Sequence, residues 1–383
     1  MYDYLVVGGG LFGCTFARVA AEQNNHVLVI DKRHHIGGNC YTEKVEDINV
    51  HKYGPHCFHT NDEEVWRFLN RFTTFNHFQC HTKVEYENRI FSFPINLTTL
   101  HELWGVKTPA EAVEKLNSVK IPNPNPRNLE EWILAEVGVQ IYETFIKGYT
   151  SKQWGRHPSE LPAFIIRRLP IRLTYDDRYF DDRYQGIPTY GYTHMFDNML
   201  DHKNIDVEIG VDFFQGREQL MRSARRVVYT GKLDELYDFR FGELEYRSLR
   251  FDTKVLDGDY QGNAIINHTH ADVPFTRVVE HKHFEFKRSP KTVVTWEFPQ
   301  KHDLNSIPCY PVKDQRNTAL VEKYSALGEG GNIILGGRLA TYQYYDMHQI
   351  VAQALKSAKK YVTPRVSEFE ISPRARKLPT AGG

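Results

Sequence analysis

The sequence predicts an α/β protein with three parts: a parallel sheet flanked by helices, a run of helices, and a mostly antiparallel sheet. Three observations predict it. The first 38 residues show a strand, a glycine turn, a helix and a second strand, and apolar residues recur at helical spacing between 98 and 148. Long half-polar strands with short turns fill 244–298. Strand patterns at 226–230 and 332–338 are expected to return to the first sheet, which is then built from discontinuous segments.

Length and composition exclude several classes of protein. The 383 residues suggest two or three domains, and 48 basic against 48 acidic residues give no excess charge for nucleic acid. No window of about 18 uninterrupted apolar residues predicts a membrane span, and the first apolar run has no basic leader. The five cysteines form no C-x-x-C pair. An odd number of unpaired thiols indicates a reducing compartment, so we expect a cytoplasmic protein.

The N-terminal stretch carries a dinucleotide-binding fingerprint of the Rossmann-like type. Gly8 makes the tight turn, Gly10 lets the backbone approach a pyrophosphate, and Gly13 lets the helix pack closely on the strand. The phosphates would lie at the helix N-terminus, and Asp31, at the end of the second strand, would accept a hydrogen bond from the ribose. The alternative is a glycine-rich turn in some other α/β domain.

Helical patterns follow the fingerprint. Apolar positions 65, 68, 69 and 72 predict a short helix capped by Thr60 or Asn61, and residues 83–95 predict a hairpin that turns near Glu87. Pro109, at the first helical position after Thr108, marks another helix start. The predicted helices of this region are 98–104, 109–118, 128–148 and 158–168.

The second half of the sequence reads mainly as strands. An amphipathic helix from Met347 to Lys359 follows the last of them. The predicted strands are 205–213, 226–230, 244–255, 262–268, 276–286, 291–298 and 332–338.

Two stretches contain residues suited to ligand chemistry. The polar loop 51–60 holds His56 and His59, which either face a cofactor or satisfy backbone groups. The segment 145–186 interleaves arginines with aromatic residues, and guanidinium forks with ring faces are typical of a nucleotide site. The alternative for any single arginine there is a solvated charged face.

Four short sequence motifs point to one known family. Residues 148–155 read GYTSKQWG, 183–188 read RYQGIP, 280–284 read EHKHF, and 344–349 read YYDMHQ. With the glycine fingerprint, they resemble the bacterial UDP-galactopyranose mutases from residue 2 to about 355. The resemblance implies an FAD-binding domain built from 1–80, 200–235 and 310–383. It further implies a helical domain, 96–170, with a mobile lid near 162–176, and an antiparallel-sheet substrate domain from 81–95, 171–199 and 236–309.

The same resemblance implies a chemistry. UDP-galactopyranose and UDP-galactofuranose would be interconverted without net redox, with reduced FAD as cofactor, and the product would supply surface glycans. Flavin N5 would attack the anomeric carbon and displace UDP, and an iminium would then open the ring before it closes as the furanose. The family also implies a homodimer and an electron donor for FAD, either NAD(P)H or a reductase.

The resemblance assigns residues to three groups. The catalytic residues would be Arg168, Arg277 and His56, the two arginines contacting the UDP diphosphate. The substrate residues would be Phe145, Tyr149, Trp154, Arg168, Tyr179, Asn267, Arg277, Tyr310, Tyr344 and His59. The cofactor residues would be Gly8, Gly10, Leu11, Phe12, Gly13, Asp31, Lys32, Gly38, Asn39, His56, Arg338, Tyr344, Asp346 and Met347. The sequence departs from the family in having Cys309 where a tyrosine is expected and Asp31 in place of a glutamate.

Other functions remain open on the sequence alone. A flavin oxidoreductase of the amine oxidase type shares the fingerprint, and a non-catalytic flavoprotein that binds a UDP-sugar would share the arginines. The histidine pairs His268 with His270 and His281 with His283 have the alternate spacing of one strand face. Since no third and fourth ligands stand at suitable spacing, we expect no metal site and sheet-face hydrogen bonds instead.

Overall fold

The first large β-sheet in the protein is parallel and has five strands. The computed structural model describes residues 1–163, 171–303, 305–328 and 331–364. The sheet takes strands from three distant parts of the chain, and all four neighbouring pairs are parallel. In spatial order the strands are Ile333–Leu335 (β16), Ala224–Tyr229 (β10), Tyr2–Val7 (β1), Val27–Asp31 (β2) and Ile205–Ile209 (β9).

Both faces of the central strands β1 and β2 are buried, which explains their continuous apolar runs. Val6 and Val29 face the core that contains Leu11–Glu22 (α1) and Met347–Tyr361 (α12). Leu5 and Leu28 point to the other face, where Phe213 packs. Helix α1 follows β1 after three glycines, so its N-terminus lies at the carboxyl end of the sheet.

The second large β-sheet has seven strands. Its neighbours are antiparallel except for one parallel pair. In spatial order its strands are Pro308–Pro311 (β15), Tyr246–Asp257 (β11), Lys291–Lys301 (β14), Arg277–Glu280 (β13), Ile265–His268 (β12), Thr82–Tyr86 (β6) and Arg89–Phe93 (β7). The pairing of β12 with β13 places Asn267 directly opposite Arg277, which positions two predicted site residues side by side.

Helices between 97 and 154 pack on the β7 edge around a separate apolar core. They are Leu97–Trp104 (α3), Pro109–Val119 (α4), Leu129–Ile141 (α5), a π-helical stretch Tyr142–Lys147, and Gly148–Trp154 (α6). Thr108 caps α4, and Pro109 occupies its first turn, as predicted. The predicted unbroken helix 128–148 is wrong, because Gly138 adopts φ 76° where its chain passes Val119.

Shorter elements complete the described chain. The strands are Thr42–Val45 (β3) with Ile48–His51 (β4), and Phe58–Thr60 (β5) with Tyr184–Gly186 (β8). The helices are Glu63–Leu69 (α2), Gly191–Leu200 (α7), Arg217–Ser223 (α8), Leu233–Leu236 (α9), Gln315–Leu327 (α10) and Gly337–Ala340 (α11). Single 3₁₀ turns span Gly38–Cys40, Pro158–Glu160 and His281–Glu285.

Several predicted boundaries need correction. Asp62 caps α2, not Thr60 or Asn61, because its carboxylate accepts from the amides of Glu64 and Val65. The strand predicted for 276–286 ends at Glu280 and becomes a 3₁₀ turn. The strand predicted for 205–213 ends at Ile209, and Pro158 starts a 3₁₀ turn and not the predicted α-helix.

The predicted fold class is confirmed: a Rossmann-like parallel sheet from discontinuous segments, a helical region and a mostly antiparallel sheet. The residue boundaries of the three domains stay a prediction. Among the described residues, no helix combines the length and the apolar character that crossing a bilayer requires.

Candidate active site

A cleft opens at the carboxyl ends of β1 and β2 and is lined by the glycine turn. It encloses ≈ 1270 Å³, its open mouth included. Gly8 adopts φ +108°, and a Cβ there would lie 2.0 Å from Thr230 Oγ1. At Gly13 a Cβ would lie 2.1 Å from the Gly8 carbonyl oxygen, so the close packing predicted for this glycine is real. Gly10 meets only the Gly38 Cα, at 3.7 Å, and faces the cleft.

Gly37 and Gly38 form a second glycine pair, which packs against Gly9 and Gly10 of the glycine turn. The Gly37 amide donates to the Gly9 carbonyl at 2.7 Å, which fixes the segment of Gly38 and Asn39 along the cleft wall. Asp31 accepts from the Gly9 amide at 2.9 Å and the Arg33 amide at 2.9 Å, one on each carboxylate oxygen. Each oxygen keeps a lone pair for a ribose hydroxyl.

The lining suits a dinucleotide with a pyrophosphate. Helix α1 starts at the cleft without a side-chain cap and without an acidic residue in its first turn, so its free amides and its dipole favour an anion. Arg33 Nη1 is buried without a hydrogen-bond partner, while its Nη2 donates to Asn39 Oδ1 at 2.9 Å. Sequence reasoning missed Arg33, although it stands two residues after Asp31. Leu11, Phe12 and Lys32 also line the cleft.

Arg338 connects this cleft with a cluster of tyrosines. Its guanidinium donates to the carbonyls of Cys309, at 3.2 Å, and Tyr345, at 2.7 Å. It also lies 5.0 Å from the ring centre of Tyr344, which stacks at a tilt on Tyr310 with 5.6 Å between ring centres. The neighbouring predicted cofactor residues differ in position: Met347 lines the cleft, and Asp346 caps the N-terminus of α12.

We call the group formed by Tyr149, Asn267, Arg277 and Glu297 the Arg277 cluster. Arg277 Nη2 donates to the Tyr149 hydroxyl at 3.1 Å, and Nε donates to Asn267 Oδ1 at 3.2 Å. Arg277 Nη1 stands 3.6 Å from Glu297 Oε2. These contacts hold one guanidinium between α6, β12 and β14.

Glu297 was not predicted from the sequence. Its side chain is 3% exposed, and its Oε1 is buried without a hydrogen-bond partner. Burial raises the pKa of this carboxyl, and the charge of Arg277 opposes that rise. Glu297 meets Arg277 through the pairing of β13 with β14, in which the two residues are partners, so no local sequence pattern signalled it.

His56 lies between the cleft and the Arg277 cluster. It lines the cleft, and its charge would be opposed by both Arg338 and Arg277. Burial lowers the pKa of His56 to about 4, so the ring is neutral at neutral pH. Because Nδ1 lies 2.8 Å from the Gly54 carbonyl, which only accepts, Nδ1 carries the proton and Nε2 is an acceptor.

Aromatic residues form a wall beside the cluster. Tyr179 is 38% exposed, and its ring contacts Phe93, which in turn stacks on the buried Phe145. Trp154 packs partly buried on the helical core at the end of α6. Phe145 therefore supports the wall from behind, while Tyr179 presents a ring and a hydroxyl.

His59 belongs to a separate polar pair. Its Nδ1 lies 2.6 Å from Asp182 Oδ2, and its ring stacks on Phe180 with 3.6 Å between centres. The Asp182 contact was missed because Asp182 is 123 residues away in the chain. Arg168 and residues 164–170 of the predicted lid lie outside the described residues.

The comparisons with known proteins decide the family. A family model described as UDP-galactopyranose mutase matches residues 144–344, and one for an NAD(P)-binding Rossmann-like domain matches residues 6–72. A probable UDP-galactopyranose mutase of Klebsiella pneumoniae is 40% identical over 375 residues, 96% of this chain and 97% of its own. The chain belongs to the UDP-galactopyranose mutase family. It is therefore an enzyme, an isomerase, and its cofactor is FAD, which the glycine turn and the free α1 amides fit.

Other family relatives differ in their named substrate. A dTDP-fucopyranose mutase of Escherichia coli is 41% identical over 372 residues, 94% of this chain and 99% of its own.

A crystal structure of reduced UDP-galactopyranose mutase superposes with a TM-score of 0.74 at 12% identity, covering 94% and 93% of the two chains. A putrescine oxidase, at TM-score 0.56 and 11% identity over 94% and 98%, shares the fold alone.

The histidine pairs differ in their contacts. His268, at the end of β12, has its Nδ1 3.0 Å from Glu85, as expected for a sheet-face hydrogen bond. His281 Nδ1 accepts from the His51 amide, and its Nε2 lies 2.8 Å from Thr295 Oγ1. His281 and His283 lie in a 3₁₀ turn and not on one strand face. Among the described residues, Asp259, Glu280 and His283 stand close enough to share an ion. Glu280, however, already accepts from three turn amides and Thr292.

Proposed function

We propose that this enzyme interconverts UDP-galactopyranose and UDP-galactofuranose. The observation that carries the proposal is the Arg277 cluster, a guanidinium fixed by three neighbours close to the FAD cleft. A leaving UDP develops charge on its diphosphate, and a pre-positioned guanidinium stabilises that charge without reorganisation. Arg168 would supply the second arginine of the diphosphate site.

The surrounding residues would hold the rest of the nucleotide sugar. Tyr149, Tyr179, Tyr310 and Tyr344 offer hydroxyls to the diphosphate and the sugar, and the last two stand next to Arg338. Phe145, Trp154 and Asn267 would shape the uridine pocket. His59, held by Asp182 against Phe180, would approach the sugar.

FAD would be held by the predicted cofactor residues, with the pyrophosphate at the α1 N-terminus and Arg338, and the ribose at Asp31. When bound in its reduced form, FAD would supply a nucleophile, flavin N5, for the anomeric carbon of the sugar. His56 presents a neutral acceptor, Nε2, at the cleft wall.

The protein residues of the site would mainly bind and orient. Of the titratable groups described there, His56 has a pKa of about 4, and Glu297 is buried beside Arg277. A neutral His56 lacks the extra proton that a general acid at neutral pH needs. Binding energy from UDP would then position a sugar that carries no charge of its own.

A second candidate substrate is dTDP-fucopyranose, because a relative of that name is 41% identical. Both candidates share a nucleoside diphosphate leaving group, so the Arg277 cluster serves either. They differ at the 6-hydroxyl of the sugar and in the nucleoside, which makes direct competition between them informative.

The test is turnover of UDP-galactofuranose and dTDP-fucofuranose by the FAD-loaded enzyme, with and without dithionite, followed by chromatography of the pyranose products. We expect product only after reduction, and faster from the UDP-sugar. Net oxidation of a substrate would favour the amine oxidase alternative, and UDP binding without any product would favour the non-catalytic one. Faster turnover of the dTDP-sugar would select the second candidate.

The remaining expectations belong to the same proposal. The enzyme would act as a homodimer in the cytoplasm, receive electrons from NAD(P)H or a reductase, and supply galactofuranose to surface glycans. The five free cysteines support a reducing compartment.

A further inference from the structure

Lys152 makes four hydrogen bonds that the proposed mechanism does not use. Its Nζ lies 2.8 to 3.0 Å from four backbone carbonyl oxygens. They belong to His268, His270, Val273 and Phe275. An ammonium has three N–H donors, so the four acceptors surround it as a cage and share them. Burial lowers the pKa of Lys152 to about 8, which still leaves it charged at neutral pH.

Three of the four carbonyls lie in the connection between β12 and β13, and the fourth, that of His268, ends β12. The last paired residue before this connection is Asn267, and the first after it is Arg277, which face each other in the ladder. Both are members of the Arg277 cluster. A change in the path of the connection would therefore shift the Arg277 guanidinium relative to the Asn267 side chain that contacts it.

The helix that carries Lys152 also contributes to the cluster. Tyr149 precedes Lys152 by three residues in α6, so the two side chains lie on neighbouring positions of one helix face. Gly148 packs so closely on the connection that a Cβ would lie 2.1 Å from the Thr269 carbonyl oxygen, and Thr269 Oγ1 donates to the Thr144 carbonyl at 2.6 Å. The end of α6 is fixed by Arg247, which donates to the carbonyls of Gln153 and Lys152.

We propose that Lys152 is a positioning residue: its ammonium, inside the cage of four carbonyls, sets the path of the β12–β13 connection and thereby the orientation of Asn267 and Arg277 for the nucleotide diphosphate. The identity of the ligand rests on the proposed function. The contacts between Lys152 and the β12–β13 connection are independent of that function.

The test uses the FAD-loaded Lys152→Ala enzyme and n-propylammonium, which replaces the four atoms that the substitution removes. Amide exchange across 268–277 reports on the connection, and calorimetry with UDP reports on the cluster. Lys147→Ala is the matched control, because Lys147 lies five residues earlier in the chain, in an exposed pair with Glu143. Tetramethylammonium controls for ionic strength, since it carries a charge but no N–H donor.

We expect Lys152→Ala to retain FAD, to exchange faster across 268–277, and to bind UDP at least about tenfold more weakly, since small misplacements of binding groups have large effects. Propylammonium should reverse both changes, and tetramethylammonium neither. Parental UDP affinity in Lys152→Ala, or a rescue of thermal stability without a rescue of UDP affinity, would overturn the proposal. If the parental enzyme fails to bind UDP, the proposed function fails, and unchanged exchange across 268–277 would by itself refute the role of Lys152.

Discussion

The glycine turn at residues 8–13 and the Arg277 cluster, which we propose bind FAD and the nucleotide diphosphate, are built in opposite ways. The turn is local: consecutive residues expose backbone amides, and missing side chains make the room. The cluster is assembled from distant residues, with Tyr149 and Arg277 separated by 128 positions. It depends on a buried carboxylate beside a guanidinium.

This difference indicates whether steric or electrostatic effects determine the outcome of a substitution in each half of the site. Substitutions at Gly8 and Gly13 act through sterics, because a Cβ at these positions has no space. Substitutions in the cluster act through electrostatics, because removing one charge leaves its partner buried. The two halves should therefore fail separately, one in FAD binding and the other in turnover.

The largest expected effect is that of Arg277→Gln. The variant should keep FAD and lose about 10²–10³-fold in turnover, the range seen when one pre-positioned donor is removed from a transition state. Initial rates with the reduced enzyme measure the loss, and flavin absorbance measures FAD retention. Wild-type turnover in this variant would remove Arg277 from the mechanism.

Glu297 provides the control for this prediction. Arg277→Gln leaves the Glu297 carboxylate buried without its guanidinium, so the melting temperature should fall. The double variant Arg277→Gln, Glu297→Gln should regain thermal stability but not turnover. Recovery of turnover in the double variant would mean that the single variant failed through instability.

A smaller effect is expected in the turn. Gly13→Ala should lower the free energy of unfolding by about 1–3 kcal/mol, because its Cβ meets the Gly8 carbonyl oxygen at 2.1 Å and the helix must shift. The helix preference of alanine over glycine, about 1 kcal/mol, does not offset that clash. Gly10→Ala is the matched control: with only Gly38 Cα nearby, the apo-protein should keep its stability and lose FAD affinity. Urea unfolding of the apo-proteins and FAD titration separate the two, and equal stability of both variants would contradict the steric account.

The smallest effect is a pH dependence of stability that arises from the buried His281. Burial lowers the pKa of His281 to about 3, from 6.5 in the unfolded chain. Below pH 6.5 the unfolded chain therefore binds a proton that the folded protein does not, and stability falls as the pH falls. The contribution is at most about 1.4 kcal/mol per pH unit.

Replacing His281 tests this sign. His281→Gln should reduce the slope of unfolding free energy against pH between 6 and 4.5, whereas the exposed His101→Gln should leave it unchanged. Chemical denaturation at several pH values gives the slope. A slope in His281→Gln equal to that of the parental protein would show that His281 is not kept neutral by burial.

The sequence predicted the glycine turn well because everything it needs is local: three glycines, one helix start and one acid. Arg277 emerged only through family resemblance, since its partners come from three other elements. Glu297, Arg33 and Lys152 were missed because their roles depend on burial and on tertiary contacts that no local pattern encodes. The kink at Gly138 likewise depends on packing with a neighbouring segment, at Val119.

The most direct test of the account is a crystal structure of the FAD-loaded enzyme with UDP. We predict FAD along the glycine turn and a diphosphate oxygen within hydrogen-bond distance of an Arg277 guanidinium nitrogen, with Tyr149 and Asn267 still in contact with that side chain. A diphosphate bound elsewhere, with the Arg277 cluster unchanged and empty, would contradict the assignment of this cluster to the substrate.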